Sequence, residues 1–216
     1  LNVKKDHPNG NGETCTPANP SDPVWPLVEK IEPNKIDAAG DYFIKGVNLP
    51  WVNYGYSLGL SAKDGSHLGF SRSLTQLYDK MDKRKGDVVR IFLFTDFRAG
   101  MQFDASGMPI GFTDKVYEDM QALLDSARAL GVKLIPVLFD FTIADGQSGV
   151  DLGEHPDLIS DPAKRQALVN IFSNFITTFG NDPSIYAWDL MNEPEVASTA
   201  SITNLKTFLG AFRDLI

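Results

Sequence analysis

The sequence predicts an α/β fold built on a parallel sheet. Three observations carry the prediction. Apolar runs of strand length alternate with amphipathic segments of helix length along most of the 216 residues, and such alternation implies parallel strands joined by helical crossovers. The runs "DVVRIFLF" and "VKLIPVLFDF" are nearly continuous in apolar residues, the mark of strands buried on both faces. The segments after each strand are long and rich in aromatics, carboxylates and glycine, while the joins back, such as "KGD" and "LGV", are short and plain. In parallel α/β proteins function collects at the strand carboxyl ends.

Residues 1–26 are rich in Pro, Gly and Asn with little periodicity, so they read as a linker or extended arm. Residues 27–216 read as the folded domain. Its first part, "NKIDAAGDYFIKGVNL", predicts a β-hairpin, with a strand over Tyr42–Leu49. Leu74, Leu77, Tyr78 and Met81 are at helical spacing before Gly86. Strand "DVVRIFLF" follows. Residues 113–131 then predict a helix with a Thr113 or Asp114 cap, an apolar stripe through Val116, Met120, Leu123, Leu124 and Ala127, and a stop at Gly131. After strand "VKLIPVLFDF", Asp161 caps a helix with Pro162 in its first turn. "SIYAWDLMNEP" is the next strand, and "SITNLKTFLGAFRDLI" the next helix.

Composition removes several functions. The net charge of −8 leaves no basic excess for nucleic-acid phosphates. No apolar run approaches the ~20 residues of a membrane span. Cys15 is the only cysteine, so neither an internal disulfide nor a cysteine metal site can form. His7, His67 and His155 share no ligand spacing, and Asp140, Asp145 and Asp151 do not fit a calcium loop. Phosphate-loop, dinucleotide and serine-elbow motifs are lacking. No cofactor is expected. The chain starts at Leu1 rather than Met, which reads either as a trimmed chain or as removal of a leader, the latter pointing to a secreted or extracellular protein.

Glu193 ends the strand that begins at Ser184, with Asn192 before it and Pro194 after it. A carboxyl there is expected to be desolvated, which raises its pKa and suits it to donate a proton. Pro194 ends the ladder. Strand alternation places Asp189, Met191 and Glu193 on one side. Arg90 and Asp189 are costly charges within apolar strands and need partners, so a network of Arg90, Asp189 and Glu193 is expected. Trp51, Tyr54, Tyr56, Phe94, Phe97, Phe139, Phe141 and Trp188 flank these positions. Flat sugar faces stack on aromatic rings, and Trp51 and Tyr54 are the better candidates for contact. Most of the phenylalanines suit the core. His155 reads as a capping residue.

"GVNLPW", "VVRIFLF", "KLIPVLFDF" and "WDLMNEP", in this order and spacing, resemble the (β/α)8-barrel glycoside hydrolases related to family 5 cellulases and mannanases. The resemblance covers about residues 30–216 and implies the N-terminal half of such a barrel, about four βα units. It implies that Glu193 is the general acid/base of a retaining hydrolase of a β-linked polysaccharide such as glucan or mannan. Asn192 would bind the sugar 2-hydroxyl, and Arg90 would position the catalytic carboxylates. Trp51, Tyr54, Asn48, Asp140 and Trp188 are the candidate substrate contacts. The family's nucleophile, a second glutamate on the seventh strand, would lie outside this chain. The strand histidine of the family has no match in "PVLFDF". An open half-barrel leaves two sheet edges and an apolar inner face exposed, so a homodimer, a separate C-terminal half or a longer chain of which these residues are a fragment is expected. The alternative is a catalytically inactive half-barrel module that self-associates or binds carbohydrate.

Overall fold

The computed structural model describes residues 34–35, 42–50, 55–56, 58–59, 88–145 and 155–216. The proposed arm, the helix expected near Leu74–Met81, and the side chains of Trp51 and Tyr54 lie outside the described residues. A short antiparallel hairpin, β1 (Asn34–Lys35) with β2 (Tyr42–Phe43), precedes the main sheet. The sheet contains β3 (Gly46–Leu49), β4 (Val88–Phe92), β7 (Lys133–Asp140) and β8 (Asp189–Asn192), all parallel and in that spatial order. The parallel sheet expected from the alternation is therefore present. The single strand expected over Tyr42–Leu49 is instead two, one in the hairpin and one in the sheet.

Helices α1 (Val116–Leu130), α3 (Pro162–Phe179) and α4 (Ile202–Arg213) bury their apolar stripes in one core. Val89, Ile91 and Leu93 alternate into that core from β4, as a strand's period of two requires. The central contacts are aromatic. Phe172 of α3 meets Phe94 at 4.9 Å and Phe212 of α4 at 5.3 Å, both edge-to-face, the arrangement that ring quadrupoles favour. Phe94, Phe97 and Phe139 are all buried, in line with a core role.

Helix α1 starts at Lys115 with no side-chain cap, so neither Thr113 nor Asp114 serves as the expected cap. It ends at Gly131 in the left-handed conformation. Asp161 caps α3 by accepting from the amides of Ala163 and Lys164, and Ser201 caps α4. The strand expected from Ser184 shrinks to β8 because Ile185 makes only an isolated bridge to Leu134. Two elements arise within segments read as loops. They are the hairpin β5 (Met101–Phe103) with β6 (Pro109–Phe112), and the short helix α2 (Pro156–Ser160). Lys164 joins them, bonding to the Ser106 carbonyl and to the Asp157 carboxylate.

In-register pairs define the other side of the sheet. Asn48 faces Arg90, Arg90 faces Ile135, Phe92 faces Val137, and Val137 faces Asp189. That side is polar at Asn48, Arg90 and Asp189, and its Val88, Phe92 and Val137 are buried. Ile135, which faces Arg90 on the same side, is only half-buried.

Candidate active site

Arg90 occupies the centre of β4, between the core residues Val89 and Ile91, and so points away from the helices. Its guanidinium lies 5.0 Å from the centroid of the Phe92 ring. Nε and Nη2 donate to Asp189 Oδ2 at 2.9 and 2.7 Å. Nη1 donates to Asn48 Oδ1 at 3.2 Å, and Nη2 also reaches Asn192 Oδ1 at 3.1 Å. One cation therefore ties together β3, β4 and β8. The fork geometry of arginine suits this role, since its donors diverge in a fixed plane.

Asn192 is held from the other end as well. Its Nδ2 donates to Asp140 Oδ2 at 2.8 Å. Asp140 ends β7 and is directly in register with Asn192. Its other oxygen accepts from the Thr142 amide at 3.1 Å and caps the 3-10 turn Phe141–Ala144. Asp140 is fully buried. Burial pushes its carboxyl above the usual range, against the opposing pull of bonds from Thr142 and Asn192. The Asn192 amide is thus oriented by a cation on its oxygen and a carboxylate on its nitrogen.

Glu193 follows at φ 47°, in the left-handed region, and Pro194–Val196 leaves the sheet as a 3-10 turn. Two expectations change here. The Glu193 side chain is exposed rather than desolvated, because the turn swings it off the strand end. Among the described residues Arg90 bonds to Asn48, Asp189 and Asn192, not to Glu193. Strict alternation fails in β8. Met191 is buried in the helix-side core, and Asn192 joins Asp189 at the arginine.

The other candidates divide. Asn48 belongs to the network. Asp140 is fully buried and bonds to the Asn192 amide. Trp188 packs edge-to-face on Phe175 of α3, 6.3 Å between centroids, on the core side and away from Arg90. His155 makes no side-chain cap to α2; it stacks on Phe103 at 4.4 Å, and burial lowers its pKa.

Sequence reasoning missed a second charged pair. Asp96 and Arg98, in the loop after β4, bond through Nε to Oδ1 at 2.9 Å and through Nη2 to Oδ2 at 2.6 Å. Asp96 is fully buried, and Arg98 has 10% of its side chain exposed. The bond to Asp96 and, more weakly, the charge of Asp140 favour the protonated guanidinium. The signal in the sequence was "TDFR" in a rim loop. Its meaning depends on left-handed backbone at Thr95 and Phe97, which no spacing rule reveals. Among the described residues, no group of three or more His, Cys, Asp or Glu side chains could hold a metal ion.

No protein-family model matches the chain. It is 27% identical over 156 residues to a mannan endo-1,4-beta-mannosidase of Cryptopygus antarcticus, covering 71% of this chain and 38% of that protein. Against mannan endo-1,4-beta-mannosidase 1 of Oryza sativa subsp. japonica it is 23% identical over 186 residues, covering 78% and 40%. The chain thus spans about two fifths of the length of these curated relatives. Its structure is similar to that of the beta-1,4-D-mannanase from Cryptopygus antarcticus, with a TM-score of 0.59 and 26% identity over 71% of this chain and 40% of that one. The beta-mannanase from blue mussel, Mytilus edulis, has the same kind of fold, with a TM-score of 0.58 and 22% identity over 76% of this chain and 45% of that one. The chain is therefore similar to glycoside hydrolases of the family 5 type.

Proposed function

We propose that this chain supplies the acid/base half of a retaining endo-β-1,4-mannanase. The observation that carries the reading is Asn192, clamped between Arg90 and Asp140 at the carboxyl end of β8 and directly followed by the exposed Glu193. Asn192 retains a second N–H and a second oxygen lone pair, enough to hold a sugar 2-hydroxyl in one orientation. Glu193 then protonates the departing glycosidic oxygen and later accepts a proton from the attacking water. Arg90 orients Asn192 and Asp189 without touching substrate.

A retaining mechanism needs a second carboxylate about 5–5.5 Å from the first. We assign it to strands that complete a (β/α)8 barrel around these βα units, contributed by a C-terminal half or by a second copy. Residues 27–216 then form one half-barrel unit.

The test is hydrolysis of soluble galactomannan and carboxymethylcellulose by the full chain and by Glu193→Gln. Mannan is expected to release reducing ends faster than cellulose, and the substitution to slow the reaction by roughly 10²–10⁴. Absence of turnover by the native chain alone would overturn completion of the site by a second copy; absence of turnover also with a C-terminal half supplied would overturn the enzyme reading in favour of an inactive binding module. An unaffected Glu193→Gln would overturn the acid/base assignment.

A further inference from the structure

Tyr56 lies in the loop after β3 and is 42% exposed. The Arg98 guanidinium lies 5.8 Å from its ring centroid. Arg98 belongs to the loop after β4, so two neighbouring strand ends meet at this contact.

The support beneath the ring is unusually costly. Asp96 is a fully buried carboxylate, and such a group is tolerated when paired and hydrogen-bonded. It receives Arg98 Nε, Arg98 Nη2 and the Arg98 backbone amide. On either side, Thr95 at φ 54° and Phe97 at φ 62° adopt left-handed backbone. Residues with a β-branch or a bulky ring enter that region at a cost of about 1–3 kcal/mol each. A well-packed apolar pair could fill the same space without the charge. Strain and a buried ion pair together at a strand carboxyl end point to a task at the surface above them.

Gly55 completes the fit. Its φ is +86°, and a Cβ there would come within 2.9 Å of Arg98 Cδ. Only glycine lets the chain lie this close to the arginine stem and bring the next ring over its head group. The backbone before the ring is thus set close against the arginine. Arg98 also senses the charge of Asp140, which binds Asn192. Tyr56 is therefore at the same end of the sheet as Glu193, but beside a different pair of strands.

We infer that Tyr56, held by the Asp96–Arg98 pair, is a stacking platform for a further sugar unit of the bound polysaccharide, separate from the position at Glu193. The inference rests on the mannanase reading. An aromatic face stacks on the C–H face of a pyranose, and the contact with Arg98 orients the ring. No charge on the ligand is required. The platform suits a neutral chain of hexose units.

The test is calorimetric titration of mannohexaose into the full chain carrying Glu193→Gln, so that ligand survives the measurement. Adding Tyr56→Ala is expected to weaken binding roughly tenfold, within the range of a single aromatic stacking contact. Adding Tyr56→Phe is expected to leave it within about twofold, since the ring remains. Far-ultraviolet circular dichroism checks that each variant is folded. Equal binding by Tyr56→Ala overturns the platform and leaves the mannanase reading standing. Equal losses in Tyr56→Ala and Tyr56→Phe also overturn it, because the hydroxyl and not the face would then be the contact. Mannan hydrolysis by the native chain without measurable mannohexaose binding overturns the platform alone. Absence of both binding and hydrolysis overturns the platform together with completion of the site by a second copy.

Discussion

Replacing Asn192 by aspartate attacks the clamp at its least tolerant point. The native amide donates to Asp140 at 2.8 Å and accepts from Arg90 at 3.1 Å. N192D keeps the shape and the acceptor toward Arg90, but it sets oxygen against oxygen at Asp140. Two ionised carboxylates at that 2.8 Å separation repel by roughly 6 kcal/mol at an effective dielectric of about 20. The folded chain avoids this by keeping one proton on the pair. A free aspartate titrates near ~3.9, so retaining that proton at neutral pH costs at most about 4 kcal/mol. Arg90 has 25% of its side chain exposed, and its screened attraction returns on the order of 1 kcal/mol. The net loss is then about 3 kcal/mol at neutral pH. The sign follows from linkage. The pair's folded titration lies above that of the unfolded chain, so the penalty is absent below the ordinary carboxylate range. It grows by about 1.4 kcal/mol per pH unit as pH rises through that range. Urea unfolding of both chains near pH 4 and near pH 7 measures the gap. A gap that stays constant or narrows toward pH 7 would refute the proximity of the two side chains.

Two further outcomes concern Asp140 and Gly59. Asp140→Asn offers one acceptor oxygen where the carboxylate served both Thr142 and Asn192, leaving a buried donor unpaired at a cost of about 1–3 kcal/mol. Because burial raises the native Asp140 pKa, the native chain loses stability relative to this variant as pH rises through the carboxylate range. Paired melting curves from acid to neutral pH should show the advantage of the native chain shrinking. Gly59→Ala is expected to lower the melting temperature by roughly 5–10 °C, as differential scanning calorimetry would record. At φ +68° an added Cβ would come within 2.4 Å of Val116 Cγ2 and 2.6 Å of Gly100 Cα.

Periodicity made the parallel strands and the Asp161 cap of α3 legible, because those depend on spacing and on one side chain. It also exposed Arg90 and Asp189 as charges in apolar strands that needed partners. Which partners they took was less legible. Strict alternation along Asp189–Glu193 pointed to Glu193, whereas the end of β8 puts Met191 in the core and Asn192 at the arginine. The bond between Asp140 and Asn192 joins residues 52 apart and becomes visible only once β7 and β8 are known to be neighbours. Hairpin β5–β6 escaped notice because its strands are short and its turn residues blend into a glycine-rich loop. Asp96 looked like an ordinary loop acid, since its burial depends on two left-handed residues that composition does not announce.

The bonds that Arg90 makes connect residues 42, 99 and 102 positions apart in sequence. Closing loops of that length must precede any gain from the contacts. The charged network therefore cannot steer the early pairing of strands. Register has to be chosen first by packing of the apolar side chains of β4 and β7, where a slip of one residue would turn Arg90 toward the helix-side core. During folding Arg90 acts as a latch, locking an arrangement that hydrophobic burial has already selected.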